Sequence, residues 1–378
     1  MQYAEVRLKL RSENVIKVMQ VSTDSNIGGA GIWLLTFLKF YDREKIDVVV
    51  VIPEDSALKS RIEELGVRYI EAEGIRDVSF SKEAIGNLRE IIRREKPDVI
   101  HTHASLSARI AAKLENVPAA NTRHCLEAPK KGIKRLIYRT LNNYLSDAVV
   151  AVSKAVYNNL SEDGIPDNKL RLIYNGVQPL EILSLEKIQE IKSGLGIENS
   201  FTVGIFARLE SVKNHMLFLR AAAAMYQVND AFRFIIVGGG SMEEELKKEV
   251  KRLGIEKAVI FTGYVKDVTG YMNAVDVNVL TSDFEALSIS LIEGMTVGKP
   301  CVTTDAGGTR EVVENGVSGF VVPVNDAVNL SACIMKLASD PALCRCMGEA
   351  GRKMALEKFS PVEMCDKLYT MYEELADI

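Results

Sequence analysis

Residues 15–53 read VIKVMQVSTDSNIGGAGIWLLTFLKFYDREKIDVVVVIP. An apolar run, Val15 to Ser22, leads into a glycine loop, Asn26-Ile27-Gly28-Gly29-Ala30-Gly31. A helix begins at Ile32, and a second apolar run, Asp47 to Ile52, follows. Strand, loop, helix and strand in that order form the repeating unit of a parallel sheet covered by helices. The same alternation extends outward. Val67 to Glu71, Asp98 to His103, Ala119 to His124 and Ala148 to Ser153 read as further strands, with helical patterns at Ser56 to Leu65 and Ser81 to Glu95. A second series begins at Phe201 to Ala207. It continues through Phe232 to Val237, Ala258 to Thr262, Val275 to Leu280, Pro300 to Thr304 and Gly319 to Val324.

The stretch from Asn175 to Ser200 carries Gly, Pro and Asn breakers around a charged helix, and the linker is placed there. The expected architecture is α/β, two doubly wound parallel sheets facing each other across a cleft. Residues 1–178 and 179–358 form the two domains, and residues 359–378 form a terminal helix that crosses back onto the first. A chain of 378 residues with 47% hydrophobic and 26% charged residues has material for two cores. A net charge of −4 argues against a protein that coats nucleic acid. No apolar run reaches the roughly 20 residues of a membrane span. The charged segment Met1 to Asn14 has no apolar core of a secretory signal, so a cytoplasmic location is expected. Cys125, Cys301, Cys333, Cys344, Cys346 and Cys365 are scattered and read as reduced, mostly buried thiols.

Ligands of doubly wound sheets lie beyond the carboxyl ends of the strands, so the strand-to-helix junctions carry the candidate chemistry. The Gly28-Gly29 loop permits either close backbone approach to a ligand or tight packing. It is not G-x-G-x-x-G, and no acidic residue ends the second strand, which disfavours a nicotinamide dinucleotide. In Arg208-Leu-Glu-Ser-Val-Lys213, two cations at a strand end can converge on one diphosphate, or simply decorate a solvated loop. In the segment Thr281 to Met295 a helix beginning near Leu287 places Glu285 ahead of its free amides and Glu293 about two turns in. Glu293 lies among Leu291, Ile292, Met295 and Val297. A carboxylate there needs a partner, either core hydrogen bonds or the paired hydroxyls of a ribose. No Asp-x-Asp occurs, so no ligand set for a metal clamp is present and no metal is expected.

Taken together, Arg208-x4-Lys213, Glu285-x7-Glu293, Gly28-Gly29, the segment Ile173 to Val177 and the run Thr304 to Glu311 resemble the retaining family 4 glycosyltransferases of the GT-B fold. The resemblance implies two Rossmann-like domains, a nucleotide-sugar site on the C-terminal one and an acceptor site on the N-terminal one. It implies that Arg208 and Lys213 stabilise the leaving diphosphate, that Glu293 holds the ribose, and that Glu285 hydrogen-bonds the donor sugar. Gly263 and Tyr264 would border the base, and the amides at Leu287 and Ser288 would meet phosphate. Gly28, Gly29 and His124 would meet the donor from the N-terminal domain. His101 and His103 are left as structural or cleft-lining residues. The chain departs from many relatives at Gly31, where they carry an acidic residue, and at Ser288, where they carry glycine.

The implied activity is metal-independent transfer of a hexose or N-acetylhexosamine from a UDP- or GDP-sugar. The acceptor would be a glycan or a lipid-linked molecule in cell-surface polysaccharide or glycolipid synthesis. A nucleotide-sugar epimerase of the same fold and a non-catalytic nucleotide-sugar binder are the alternatives. The basic amphipathic stretch 130–145 either rests on an anionic membrane surface or packs its apolar side on the N-terminal sheet.

Overall fold

The structure, a computed structural model, describes residues 15–377; the N-terminal segment read for a signal lies outside the described residues. The chain divides into two units. One runs to Gly176 and takes up the chain again from Pro361, and the other is Val177–Ser360. The change of unit at Gly176–Val177 is sharper than the linker expected across Asn175 to Ser200. The charged helix of that stretch, Leu185–Leu195, belongs to the second unit and packs on the helix Thr269–Ala274.

In the first unit the strands are β1 (Ile16–Ser22), β2 (Ile46–Pro53), β3 (Arg68–Ala72), β4 (Val99–His103), β5 (Ala119–Arg123), β6 (Ala148–Ala151) and β7 (Leu170–Leu172). They form one parallel sheet in the order β3-β2-β1-β4-β5-β6-β7. Strand β7 has no counterpart in the sequence reading, because three residues with Arg171 at the centre give no periodic signal. The second unit repeats the plan with β8 (Phe201–Phe206), β9 (Phe232–Val237), β10 (Val259–Gly263), β11 (Val277–Leu280), β12 (Cys301–Thr304) and β13 (Gly319–Val322), in the order β10-β9-β8-β11-β12-β13. This is the doubly wound order in which the sheet grows outward in both directions from its first strand. Together the two sheets constitute a GT-B architecture of two Rossmann-like units.

Strands buried on both faces explain the unbroken apolar runs; in β2 only Asp47 departs from full burial. Period-2 alternation assigns the faces. Ile16, Val18, Val48, Val50, Val99 and Ala120 face Trp33 and Phe37 of the helix Gly29–Phe40 and Met364, Leu368 and Tyr372 of the terminal helix Pro361–Leu375. Met19, Val21, Val49, Val51 and Ile100 face the helices Lys82–Glu95 and Leu106–Leu114. The chain enters the terminal helix beside Gly176, where a Cβ would stand 2.4 Å from the Cα of Pro361. Only glycine lets these two segments pass.

The cysteines depart from expectation. All six are free thiols, but only Cys301 and Cys365 are buried, whereas Cys125 and Cys346 are exposed. The short spacing around Cys346 places it on a helix surface rather than in the core. No helix among the described residues is long and apolar enough to cross a membrane.

Leu368 is fully buried on the first unit's core face, so Leu368→Ala is expected to cost about 2–5 kcal/mol through lost burial and a residual cavity. Val362 on the same helix is 53% exposed, and Val362→Ala is expected to stay within about 0.5 kcal/mol of wild type. The midpoints of denaturant unfolding monitored on the N-terminal unit measure both.

Candidate active site

In the second unit the strand order reverses between β8 and β11, and the loops leaving these two strands hold most of the candidate residues. After β8 the chain passes Arg208, makes a single 3-10 turn at Ser211–Lys213, and enters the helix His215–Val228 through Asn214. Asn214 adopts the left-handed conformation (φ 48°), and its side-chain oxygen accepts from the Leu217 amide. Its amide nitrogen donates to Asp283 Oδ1 and Asn325 Oδ1, each at 2.8 Å. The Thr281 hydroxyl donates to the Lys213 carbonyl at 3.0 Å, and the Asp283 amide donates to the Val212 carbonyl at 2.9 Å. The two switch-point loops are thus laced together.

Within this lacing Lys213 Nζ stands 2.5 Å from Glu285 Oε2, with both side chains largely buried, and the Ser282 hydroxyl donates to the same oxygen at 3.1 Å. The sequence reading offered Lys213 and Arg208 as cations that can converge on one anion; within the protein Lys213 pairs with Glu285. Arg208 is exposed, and its guanidinium makes no hydrogen bond or ion pair with the described residues. Glu210, whose pKa is lowered first by hydrogen bonds from Ser241, also lies in the field of Arg208. Gly308 fits its amide against the Glu285 carbonyl at 2.9 Å; a Cβ there would meet the Ala286 carbonyl at 1.8 Å.

The helix that follows is Ile289–Thr296, two residues later than expected, because Ser288 serves as its cap and accepts from the Leu291 amide. Three expectations shift with it. Leu287 is buried ahead of the helix, and Ser288 acts through its hydroxyl as cap. The amides without an intrahelical acceptor at this end are those of Ile289 and Ser290. Glu293 then lies little more than one turn in, not two. Serine where many relatives have glycine has a physical reason, since it satisfies a helix-opening donor.

Glu293 is half-buried, and its carboxylate has no hydrogen-bond partner among the described residues. Burial first, and the charge of Asp267 second, push its pKa up to about 7. Asp267 lies in the loop after β10, four residues beyond Gly263. Gly263 is left-handed (φ 69°) with open space where a Cβ would point, and Tyr264 is 75% exposed. Glu293 thus feels the charge of the loop that carries Gly263 and Tyr264.

In the first unit the order reverses between β1 and β4. Gly28 caps the helix Gly29–Phe40, and a Cβ at Gly28 or Gly29 would meet nothing within 4 Å. Packing does not require glycine at either position. Beside this loop three histidines stack. His101 and His103 end β4, and His124 follows β5; the centroids of adjacent rings are 5.1 Å apart, and Trp33 packs on all three. Burial holds all three neutral. The pKa values of His101 and His124 fall to about 3, with Arg123 adding to the effect at His124, and that of His103 falls well below the usual value.

Sequence reasoning missed the companions of these residues. Gln20 and Tyr372 hydrogen-bond within the histidine stack, and Ser282 and Asn214 organise the Lys213–Glu285 pair. The alternation Val99-x-His101-x-His103 does put both histidines on the face of Gln20, so part of the stack is legible. Asn214, immediately ahead of an apolar helical run, is likewise a readable cap. Among the described residues no group of three or more His, Cys, Asp or Glu side chains converges on a point where a metal ion would sit.

The raised pKa of Glu293 has a stability consequence. Below pH about 4.5 the carboxyl is protonated in folded and unfolded chains alike, and Glu293→Gln is expected to melt with wild type. Between about 4.5 and about 7 the unfolded chain ionises while the folded chain keeps its proton, so wild type loses stability as pH rises. Above pH about 7 Glu293→Gln is expected to be the more stable protein; thermal unfolding across this range measures the difference.

Comparison with known proteins places this geometry. The model of the family described as Glycosyltransferase Family 4 matches residues 27–179, and that described as Glycosyl transferases group 1 matches residues 187–354. The chain is 24% identical to the UDP-Gal:alpha-D-GlcNAc-diphosphoundecaprenol alpha-1,3-galactosyltransferase of Escherichia coli, over 95% of this chain and 97% of that one. It is 27% identical to the N-acetyl-alpha-D-glucosaminyl L-malate synthase of Bacillus anthracis, over 76% and 77%. The crystal structure of Anabaena HepE in complex with UDP-glucose superposes with a TM-score of 0.84 at 24% identity, covering 95% of this chain and all of that one. Two successive family models, matched in order on the two Rossmann-like units, make this chain a member of the group 1, family 4 glycosyltransferases of the GT-B fold.

Proposed function

We propose that the chain is a retaining hexosyltransferase. It would move a hexose or N-acetylhexosamine from a UDP- or GDP-sugar to a glycan or lipid-linked acceptor in cell-surface polysaccharide or glycolipid synthesis. The observation that carries this reading is the Glu293 carboxylate, half-buried, without a partner among the described residues and with its pKa pushed up to about 7. A vicinal diol offers two hydroxyl donors to such a group, and a ribose would let it ionise. Arg208, equally uncommitted, supplies a fork for the diphosphate, and the amides of Ile289 and Ser290 add a second set of donors. UDP in the Anabaena structure and UDP-Gal in the name of the Escherichia coli relative favour uridine as the base.

In the proposed reaction the bond from the sugar's anomeric carbon to the diphosphate oxygen breaks, and its electron pair stays on that oxygen. Arg208, Lys213 and the helix amides offset the growing charge. The acceptor oxygen bonds to the anomeric carbon on the face the diphosphate leaves, and its proton passes to the departing phosphate. No side-chain base is needed. Lys213 enters this role already paired with Glu285, which holds its ammonium in place while Glu285 remains able to accept from sugar hydroxyls. His124 is the group of the N-terminal unit assigned to the donor sugar, and Gly28 and Gly29 leave room for it.

Calorimetry with UDP-, GDP- and ADP-sugars in the presence of EDTA tests the reading. One nucleotide is expected to bind, and Glu293→Ala is expected to weaken it. Arg208→Ala is expected to lower transfer by about 10²–10³, the usual cost of one preorganised donor to a developing oxyanion. Binding by none of the three would sink the proposal. Interconversion of the donor without transfer would replace it with an epimerase, and binding without either with a non-catalytic receptor.

The acceptor side of the proposal includes an anionic membrane surface. The helix Gly132–Leu145 turns Tyr138, Asn142, Asn143 and Leu145 inward and lays the stem of Arg139 beside Gly164. Ile133, Leu136, Ile137 and Leu141 form a stripe on the opposite side, with Ile133 67% and Ile137 53% exposed. Of the two sequence readings, the one that buries this stripe on the sheet is not what the structure holds. Lys134 and Arg139 flank the stripe on either side, as in helices that lie in a bilayer interface. In flotation, the chain is expected to rise with phosphatidylglycerol-containing vesicles and not with phosphatidylcholine alone, and Ile133→Ser with Ile137→Ser to remain at the bottom. No flotation with the anionic vesicles would remove the membrane from the proposal.

A further inference from the structure

The histidine stack of the first unit is one directed chain of hydrogen bonds. Gln20 on β1 pairs in register with His101 on β4, and His103 pairs with Thr122 on β5. Period-2 alternation brings all four side chains, with His124 two residues beyond Thr122, to the face covered by the terminal helix. Burial keeps the three rings neutral, so each has one N–H and one lone pair. The directions then follow from the amide of Gln20.

Gln20 Nε2 donates to the Tyr372 hydroxyl at 2.9 Å. Tyr372 spends its own proton on His101 Nδ1 at 2.6 Å, and His101 Nε2 donates onward to Thr122 Oγ1 at 2.6 Å. The other end of the amide, Gln20 Oε1, has only lone pairs, so His103 Nε2 carries the proton of their 3.2 Å contact. His103 Nδ1 is therefore an acceptor, and His124 Nε2 donates to it at 2.9 Å. His124 Nδ1 is left as a bare lone pair, and it is buried with no partner among the described residues. Turning the Gln20 amide over would reverse every bond and leave His124 presenting an N–H instead.

We infer that Gln20, His103 and Tyr372 are positioning residues that fix His124 as the Nε2–H tautomer, so that it meets its ligand solely as a hydrogen-bond acceptor for a hydroxyl. The inference deepens the glycosyltransferase reading and rests on it for the identity of the hydroxyl, which belongs to the donor sugar. The relay itself lies wholly within the first unit. A neutral acceptor rejects a ligand group that cannot donate, because its buried lone pair would then go unsatisfied. The terminal helix contributes to the site through Tyr372 without touching substrate.

The chain has four histidines, so selective 15N labelling of their rings and two-bond 1H–15N correlation spectra of the ligand-free protein resolve each tautomer. Signals are assigned through His124→Gln and His103→Gln. Wild type is expected to show His124 protonated at Nε2. Gln20→Met, which keeps the packing volume, and Tyr372→Phe are both expected to move His124 toward the Nδ1–H form or a mixture. Transfer should fall about 10- to 100-fold, the usual effect of removing an outer partner that fixes a ring tautomer. The loss should lie in kcat, with UDP affinity unchanged, since the nucleotide residues sit in the other unit. An Nδ1–H tautomer in wild type overturns the inference, as does a tautomer that neither variant alters. A lack of nucleotide binding by wild type with the expected tautomer would defeat the transferase reading and leave the relay intact.

Discussion

Each sheet starts at an inner strand and grows outward in both directions, so the chain leaves neighbouring strands β1 and β4, and again β8 and β11, toward opposite faces. Right-handed crossovers make this unavoidable, and the loops that part company there leave a crevice lined by unpaired amides and by whichever side chains end the strands. Most candidate residues follow the strands at that divergence: Arg208, Lys213, Glu285 and Glu293 come after β8 and β11, and Gly28 and Gly29 come after β1, with His103 ending β4. Gly263 and Tyr264 follow the edge strand β10, and His124 follows β5.

The two crevices handle buried polarity differently. In the second unit the polar groups are only partly satisfied by protein. Lys213 and Glu285 neutralise each other at 2.5 Å, but the side chains of Arg208 and Glu293 have no partner among the described residues. An uncompensated carboxylate in a half-buried setting has its charged form disfavoured, which pushes its pKa up to about 7, and a ligand that supplied donors would offset that. In the first unit the polar groups are satisfied along a line until its last atom. That line runs through the core of the sheet and ends at His124 Nδ1. The Glu293 carboxylate and His124 Nδ1 are among the polar groups that end without a partner among the described residues, and a ligand that completed them would gain hydrogen bonds.

Much of this was legible in the sequence, for stated reasons. Period and breakers mark most of the strands, because a strand buried on both faces has to be an apolar run. Arg208, Lys213, Glu285 and the glycines at 28 and 29 lie in the segments that follow strands, and Glu293 lies in the next helix, all within spacings a doubly wound sheet makes readable. Boundaries were less legible. The helix after β11 starts at Ile289 because the Ser288 hydroxyl caps it, a choice the apolar pattern around Leu287 does not reveal. Strand β7 is too short to have a period. Cys125 and Cys346 read as core thiols by type alone, yet they sit on surfaces.

The sequence alone determined the alternation of strands and helices, the division into two α/β units, and which residue types stand at each strand end, since these depend on local periodicity and spacing. Tertiary structure alone decided the pairings. Lys213 is 72 residues from Glu285, and Gln20 is 352 from Tyr372. Contacts across such separations depend on sheet order, register and helix docking, none of which has a local signal. The partner of a charge and the partners along a hydrogen-bond chain are properties of the folded surroundings, and so the contacts of Lys213 and His124 emerge only there.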